Sequence, residues 1–277
     1  MRIAIIGAGN IGSALLGGIL KGGVAAPDDV VATVATQEHA EELARSYPVR
    51  VMAGNNLAAA EFANVIILAV KPKVIPTVLE EIRWALREDR ILISLAAAFP
   101  IAEIETQLGR RMPIFRAMPN TPVIVEEGAT CISSNEVATP QQRAVVEAIF
   151  RAVGVVCHIE EDLMHAATAL SGSGPAYVYM VIEALIAGGL KMGLSHEVST
   201  RLSEQTVLGA AKLVRQTMLH PAILKDQVIT PGGVTISAVH ELERHGLRAM
   251  LISAIETATR HSRHLSDKLI EKLRKDA

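Results

Sequence analysis

The chain has 277 residues, of which 50% are hydrophobic and 20% charged, with a formal net charge of −2; it is long enough for two domains and for a core that needs neither disulfides nor a metal. Near-neutral charge and 3% aromatic residues leave neither the basic footprint nor the stacking platforms of nucleic-acid binding, so nucleic acid is excluded as a partner. So apolar a chain of this size predicts subunit association.

An apolar strand begins almost at once, over 2–6, which leaves no room for a signal peptide and sets the expectation of a cytoplasmic protein. To about residue 160, short β-branched runs alternate with helical patterns, the signature of βαβ units and a parallel sheet. The pattern predicts strands over 2–6, 30–34, 49–52, 65–69, 91–95, 114–116, 129–132 and 155–158. Helices fill the gaps, including 11–21, 37–46, 74–86 and 141–152, the last opened by Thr139-Pro140 as N-cap and first helical residue. Cys131 and Cys157 fall in strand-like surroundings with neither C-x-x-C nor ligand-quartet spacing, and read as buried small hydrophobes.

After Glu160-Glu161-Asp162 the β-branched runs stop, and the pattern predicts helices over 163–170, 175–192, 196–216, 233–243 and 247–274, with breaks at Gly193, His220-Pro221 and Gly246. The fold class is therefore α/β: an N-terminal Rossmann-type dinucleotide-binding domain, 1–162, followed by an all-α dimerisation domain, 163–277. The stretch from Pro175 to Leu190 is Ala/Gly-rich, carries Glu183 and falls short of the roughly 20 apolar residues of a membrane span. It reads as an interface helix, and no membrane partner is expected. His240, Glu241, Arg244 and His245, and the pair His261 and His264, read as solvated helix faces or interface contacts, and no metal is expected.

Gly7-Ala8-Gly9-Asn10-Ile11-Gly12 follows the first strand, which ends at Ile6, and opens a helix; this is the context in which G-x-G-x-x-G signifies a dinucleotide. Gly7 makes the tight turn, Gly9 clears the pyrophosphate's place, and Gly12 lets helix and strand approach. The second strand ends in Val31-Ala32-Thr33-Val34-Ala35-Thr36, with no carboxylate for a ribose 2′-hydroxyl and no arginine for a 2′-phosphate, only the hydroxyls of Thr33 and Thr36. The cofactor expectation leans to NADPH, with NADH also accepted. Lys71, in Ala69-Val70-Lys71-Pro72, reads either as a solvated loop residue or as part of the sheet's ligand-binding rim, where Ser94-Leu95-Ala96-Ala97 also lies.

Two Gly/Pro-rich segments, Ser171-Gly172-Ser173-Gly174-Pro175-Ala176-Tyr177 and Pro231-Gly232-Gly233-Val234-Thr235-Ile236, read as turns that open helices and present backbone N–H groups to a small carboxylate. Ser171 and Ser173 read either as N-caps ahead of Pro175 or as hydroxyls that polarise a proton chain.

These segments, with the fingerprint, the Ala69–Pro72 run, Met118-Pro119-Asn120-Thr121-Pro122, Gln205-Thr206 with Gly209-Ala210-Ala211-Lys212, and His220-Pro221 with Leu224-Lys225-Asp226, resemble the pyrroline-5-carboxylate reductase family in order over essentially the whole chain. The resemblance implies reduction of 1-pyrroline-5-carboxylate to L-proline with NAD(P)H in an obligate homodimer, which assembles further as a ring of dimers in the extended expectation. It implies that Thr230, Gly233, Val234 and Thr235 line the substrate pocket, and that Asn56, Ala69, Val70, Lys71, Pro72, Ala96 and Ala97 contact the cofactor. Thr235 is the expected catalytic residue, hydrogen-bonded to the ring nitrogen, and Ser171 an expected substrate-side residue. The chain departs from the family pattern at Met218, ahead of the His-Pro pair, and at Val34 on the second strand.

Two other readings compete. A β-hydroxyacid dehydrogenase would place a lysine on the helix after its G-x-G turn, where this chain has Val178 and Ile182. A cofactor-sensing regulator without turnover would have no use for the Pro231–Ile236 turn.

Overall fold

A computed structural model of the chain describes residues 1–276; Ala277, the last residue of the expected second domain, lies outside the described residues. In chain order the first part consists of β1 (Ile3–Ile6), α1 (Asn10–Lys21), β2 (Val30–Val34), α2 (Gln37–Ser46), β3 (Arg50–Ala53), α3 (Asn56–Phe62) and β4 (Val65–Leu68). It continues with α4 (Ile75–Ile82), β5 (Ile91–Ser94), α5 (Ile101–Leu108), β6 (Ile114–Met118), β7 (Gly128–Ser134), α6 (Pro140–Arg151) and β8 (Gly154–His158). The strands form one sheet in the order β3-β2-β1-β4-β5-β6-β7-β8.

Alternate residues of β1 enter two separate cores, Ile3 and Ile5 on one face and Ala4 and Ile6 on the other, because helices cover both sides of the sheet. The expected all-parallel sheet needs one correction: β7 runs antiparallel to β6. The link between them holds only the 3₁₀ turn Thr121–Val125, too short for the crossover that a parallel neighbour requires. β8 is parallel to β7 and sets Cys157 beside Cys131. Both thiols are free, and the expectation of burial fails for Cys157, which is exposed on the edge strand, while Cys131 is half-buried. Burial and the neighbouring Cys157 push the Cys131 thiol up, and a hydrogen bond with Ser171 opposes them.

Beyond the sheet lie α7 (Met164–Ala167), a π-helical turn (Thr168–Gly172), α8 (Gly174–Lys191), α9 (His196–Thr217), α10 (Pro221–Val228), α11 (Val234–Arg244) and α12 (Leu247–Asp276). α10 was not expected: Pro221 begins a helix with His220 as its N-cap, accepting from the Ala222 N–H at 3.2 Å, so the His-Pro break is also a start.

The chain divides into two compact units, Met1–Ser173 with Thr257 onward, and Gly174–Glu256. This differs from a boundary at 162/163. Residues 163–173 and the far half of α12 pack with the sheet: Leu269 and Leu273 rest on the core on the Ala4 and Ile6 face, and Ser266 is only 2% exposed. In the second unit α8 and α9 pack through Gly189, where a Cβ would lie 2.6 Å from the Ser199 hydroxyl. α8 itself has no buried residue, and Tyr179, Met180 and Leu185 are exposed on it. The continuous helix Glu161–Lys191 is long and apolar enough to cross a membrane by length and composition alone.

Candidate active site

The expected cofactor residues gather at the carboxyl ends of β1, β2, β4 and β5. The strand order reverses between β1 and β4, which makes this the topological switch point where open α/β sheets take ligands. Gly7 has φ +85° and donates with Ala8 to the Thr33 carbonyl, at 3.0 and 2.8 Å. A Cβ on Gly7 would lie 2.3 Å from Val70 Cγ1, so only glycine closes this turn. Gly12 is tight in another way: its Cβ would meet the Gly7 carbonyl and Ile5 at 3.2 Å and Ala69 at 3.3 Å. Gly9 differs from both, with open space where its Cβ would be. It caps α1 without a side chain, and no acidic residue stands in the first turn, so the first N–H groups of a 12-residue helix form a cradle suited to a pyrophosphate.

Thr33 is buried, and its hydroxyl donates to Asn56 Oδ1 at 2.7 Å; Asn56 in turn donates to Glu81 on α4, also at 2.7 Å. Glu81, whose position in the chain gives no hint of it, thus fixes the amide of an expected cofactor residue. The Thr36 hydroxyl caps α2 by accepting from His39 N. Lys71 is exposed ahead of the Pro72–Val74 turn, on the rim, while Ala96 is buried and Ala97 half-buried just beyond β5.

The segment around Ser171 opens a helix as expected, α8 from Gly174, but what precedes it is a π-helical turn, Thr168–Gly172, with Ser173 N donating to the Thr168 carbonyl at 2.9 Å. Ser171 does not cap, since its hydroxyl donates back to the Ala167 carbonyl at 2.9 Å. Pro175 has no N–H for the carbonyl four residues before it. That orphaned oxygen, on Ser171, accepts instead from Asn120 Nδ2 at 3.1 Å, and Asn120 Oδ1 accepts from Ala129 N at 2.8 Å. Asn120 therefore ties the π turn to β7. The proline is the one signal in the sequence for this role, because an acceptor deprived of its donor must find another.

Under the same helix, Arg116 on β6 is 2% exposed and donates to Glu161 at 3.2 Å; burial lowers its pKa and Glu161 opposes the shift. Glu161 also accepts from Ile101 N at 2.8 Å, placing a carboxylate on the first turn of α5.

In the second unit Thr230, Gly233, Val234 and Thr235 come together in one turn, as expected. Gly232 has φ +68°, Gly233 N donates to the Thr230 carbonyl at 3.0 Å, and a Cβ on Gly233 would lie 2.2 Å from the Thr230 hydroxyl. α11 starts at Val234 with neither a side-chain cap nor an acidic first turn. Its first N–H groups are free for an anion, Val234 is 89% exposed, and the Thr235 hydroxyl has no protein partner among the described residues. On the same helix Glu241 is occupied by Arg244 and His245, at 2.6 and 3.0 Å.

A doubly wound sheet with a glycine turn at its switch point and an anion cradle on a separate helical unit defines a dinucleotide-dependent oxidoreductase of the Rossmann class. Residues 161–265 match the family model described as pyrroline-5-carboxylate reductase dimerisation, and residues 2–98 the model described as NADP oxidoreductase, coenzyme F420-dependent. A pyrroline-5-carboxylate reductase of Arabidopsis thaliana is 38% identical over 96% of this chain and 95% of its own length. A solved pyrroline-5-carboxylate reductase from Coxiella burnetii is 36% identical with a TM-score of 0.91, covering 95% of this chain and 98% of that one. The enzyme of Plasmodium falciparum, solved with NADP bound, is 32% identical with a TM-score of 0.86, covering 96% and 98%. The chain belongs to the pyrroline-5-carboxylate reductase family.

Proposed function

We propose that the protein reduces 1-pyrroline-5-carboxylate to L-proline with NAD(P)H, the last step of proline biosynthesis. The observation that carries this reading is likeness to reductases of that name over 95–96% of the chain. Residues 1–162 serve as the nucleotide domain and 163–277 as the dimerisation and substrate domain, a functional division supported by the span of the dimerisation model. The family of the N-terminal model and the NADP-bound relative support NADPH over NADH, as does the absence of a carboxylate at the end of β2.

The nicotinamide supplies a hydride to the imine carbon; the rest falls to the chain. Ile6 to Gly12 hold the pyrophosphate on the α1 N-terminus, and Thr33, Asn56, Ala69 to Pro72, Ala96 and Ala97 orient the cofactor on the rim. Thr230, Gly233 and Val234 seat the substrate carboxylate on the first N–H groups of α11. Thr235 hydrogen-bonds the ring nitrogen. An aliphatic hydroxyl does not titrate near neutral pH, so the imine binds already protonated or takes its proton from water through Thr235. Ser171 enters as an acceptor, its proton being committed to Ala167. Catalysis is then alignment and charge placement.

The protein is cytoplasmic, a homodimer that assembles further as a ring of dimers, with no nucleic-acid or membrane partner in this reading. The apolar α8 is an interface helix, and the dimer buries roughly 2,000 Å² or more. Absorbance at the nicotinamide band, with both cofactors and with five- and six-membered cyclic imino acids, tests the reading. Turnover of the five-membered imine is expected; cofactor binding without turnover would make the protein a sensor.

A further inference from the structure

The loop from β5 to α5 carries Ala96 and Ala97 and is pinned at three places. At its start Leu95 N donates to the Leu68 carbonyl at 2.9 Å, and at its end Ile101 N donates to Glu161 at 2.8 Å. Between them Ala98 sits in the left-handed region at φ +63°, a conformation that side chains other than those of Gly, Asn and Asp rarely hold unaided. The third tie is there: Ser266 of α12, 168 residues away, donates from its hydroxyl to the Ala98 carbonyl at 2.9 Å.

Ser266 is 2% exposed and belongs to a single face of α12 that docks on the sheet unit. Ser262, at i−4, meets His165 Nδ1 at 2.9 Å, and Leu269 and Leu273, at i+3 and i+7, rest on the buried cluster that contains Ala96 and Phe99. Nothing in the proposed chemistry calls for a buried hydroxyl on the last helix. A buried polar group whose one hydrogen bond goes to a strained main-chain carbonyl beside the cofactor rim does have a use.

We propose that Ser266 is a positioning residue for the cofactor, holding Ala98 in its left-handed conformation so that Ala96 and Ala97 meet the nicotinamide nucleotide in a preformed loop. This rests on the assignment of Ala96 and Ala97 to cofactor binding. Removing the hydroxyl frees Ala98 to relax, and the cofactor must then organise the loop as it binds. The cost falls on cofactor affinity and leaves the hydride step, once the cofactor is seated, unchanged.

The test is Ser266→Ala in the full-length protein, with and without Ala98→Gly. Ser266→Ala is expected to raise the KM and Kd for NADPH about fivefold, the factor one ordinary hydrogen bond is worth, with kcat at saturating cofactor and the KM for pyrroline carboxylate within about twofold of wild type. Ala98→Gly in that background is expected to restore cofactor affinity, since glycine holds the left-handed conformation without the tie. A general loss of stability at Ser266 would leave the cofactor Kd of the folded protein unchanged, with nothing for Ala98→Gly to restore. Unchanged cofactor affinity in a folded Ser266→Ala protein, or no rescue by Ala98→Gly, overturns the proposal. A Gly9→Val control that binds NADPH like wild type would instead overturn the underlying assignment of the rim.

Discussion

Each of the two units presents a helix start with no side-chain cap and no acidic first turn, α1 and α11, with different support. The rim is built on a sheet buried on both faces: Gly7 is locked by Thr33 and Val70, Gly12 by Ile5 and Ala69, and every strand residue of β1 and β4 is buried. The turn at Pro231–Gly233 is anchored to its own neighbours, Thr230 and the start of α11, in a unit whose long α8 buries no side chain. The rim is rigid because a completed core stands behind it. The turn takes its geometry from local backbone chemistry.

The glycines of the rim give the largest effect. Gly9 has open space at its Cβ and φ −76°, so Gly9→Val is expected to fold normally and to lose measurable dinucleotide binding in calorimetry. Gly7→Val, at φ +85° and 2.3 Å from Val70, is expected to lose both binding and stability. If Gly9→Val keeps its nucleotide affinity, the rim is a structural turn and the parallel between the two regions breaks.

Thr235→Val tests the turn. It removes one hydroxyl, keeps the shape and leaves the free N–H groups of α11 in place. Loss of a hydrogen bond to a charged centre in the transition state is expected to cost about 2–4 kcal/mol, read as a fall in kcat with cofactor affinity unchanged. An unchanged kcat removes Thr235 from the mechanism. Mixing Gly9→Val chains with Thr235→Val chains sharpens the comparison: recovered activity assigns rim and turn to different subunits, and none assigns them to the same chain.

How much of this the sequence carries follows the same division. All eight strands lie within three residues of their expected ends, since β-branched runs between turn residues are local signals, and the rim follows from them because three glycines at fixed spacing have few other uses. The Pro231–Ile236 turn was legible for the same reason. In Ser171–Tyr177 the helix start was legible, since α8 begins at Gly174, but the π turn ahead of it was not: the chain widens one turn and gives the Ser171 carbonyl to Asn120, 51 residues away. The far half of α12 was misplaced for a related reason. Its pattern is helical, and only the fold reveals that Ser266, Leu269 and Leu273 face the sheet.

A smaller effect separates the units by pH. Burial holds the His165 pKa below the ordinary histidine value, Arg116 and Arg263 lower it further, and Asp267 and Glu161 oppose them; its Nδ1 meets Ser262. The unfolded chain therefore takes up this proton more readily than the folded one, so stability is retained above the ordinary histidine range and falls as pH drops through and below it. Chemical denaturation between pH 7 and 5 is expected to show the sheet unit weakening, with His165→Gln flattening the trend. A trend that His165→Gln leaves intact assigns it to another group.

The smallest expected effect lies in the second unit. Met218 ends α9 in the left-handed conformation at φ +55°, donates its N–H to the Val214 carbonyl at 3.1 Å and is 86% exposed. A helix end of this shape favours glycine, because an L side chain crowds its own backbone there; the methionine gains no packing to offset the strain. Met218→Gly removes the strain and loosens the unfolded chain, two effects that partly cancel, for a net stabilisation of about 0.5–1 kcal/mol. Because the substitution touches only α9, a protein whose units unfold separately is expected to show one transition move up and the other stay, whereas a protein in which association completes the helical core is expected to show a single transition that moves as a whole. Calorimetric scans of wild type and Met218→Gly over a range of protein concentrations distinguish the two, and a destabilised variant would mean that Met218 is packed in the assembled protein.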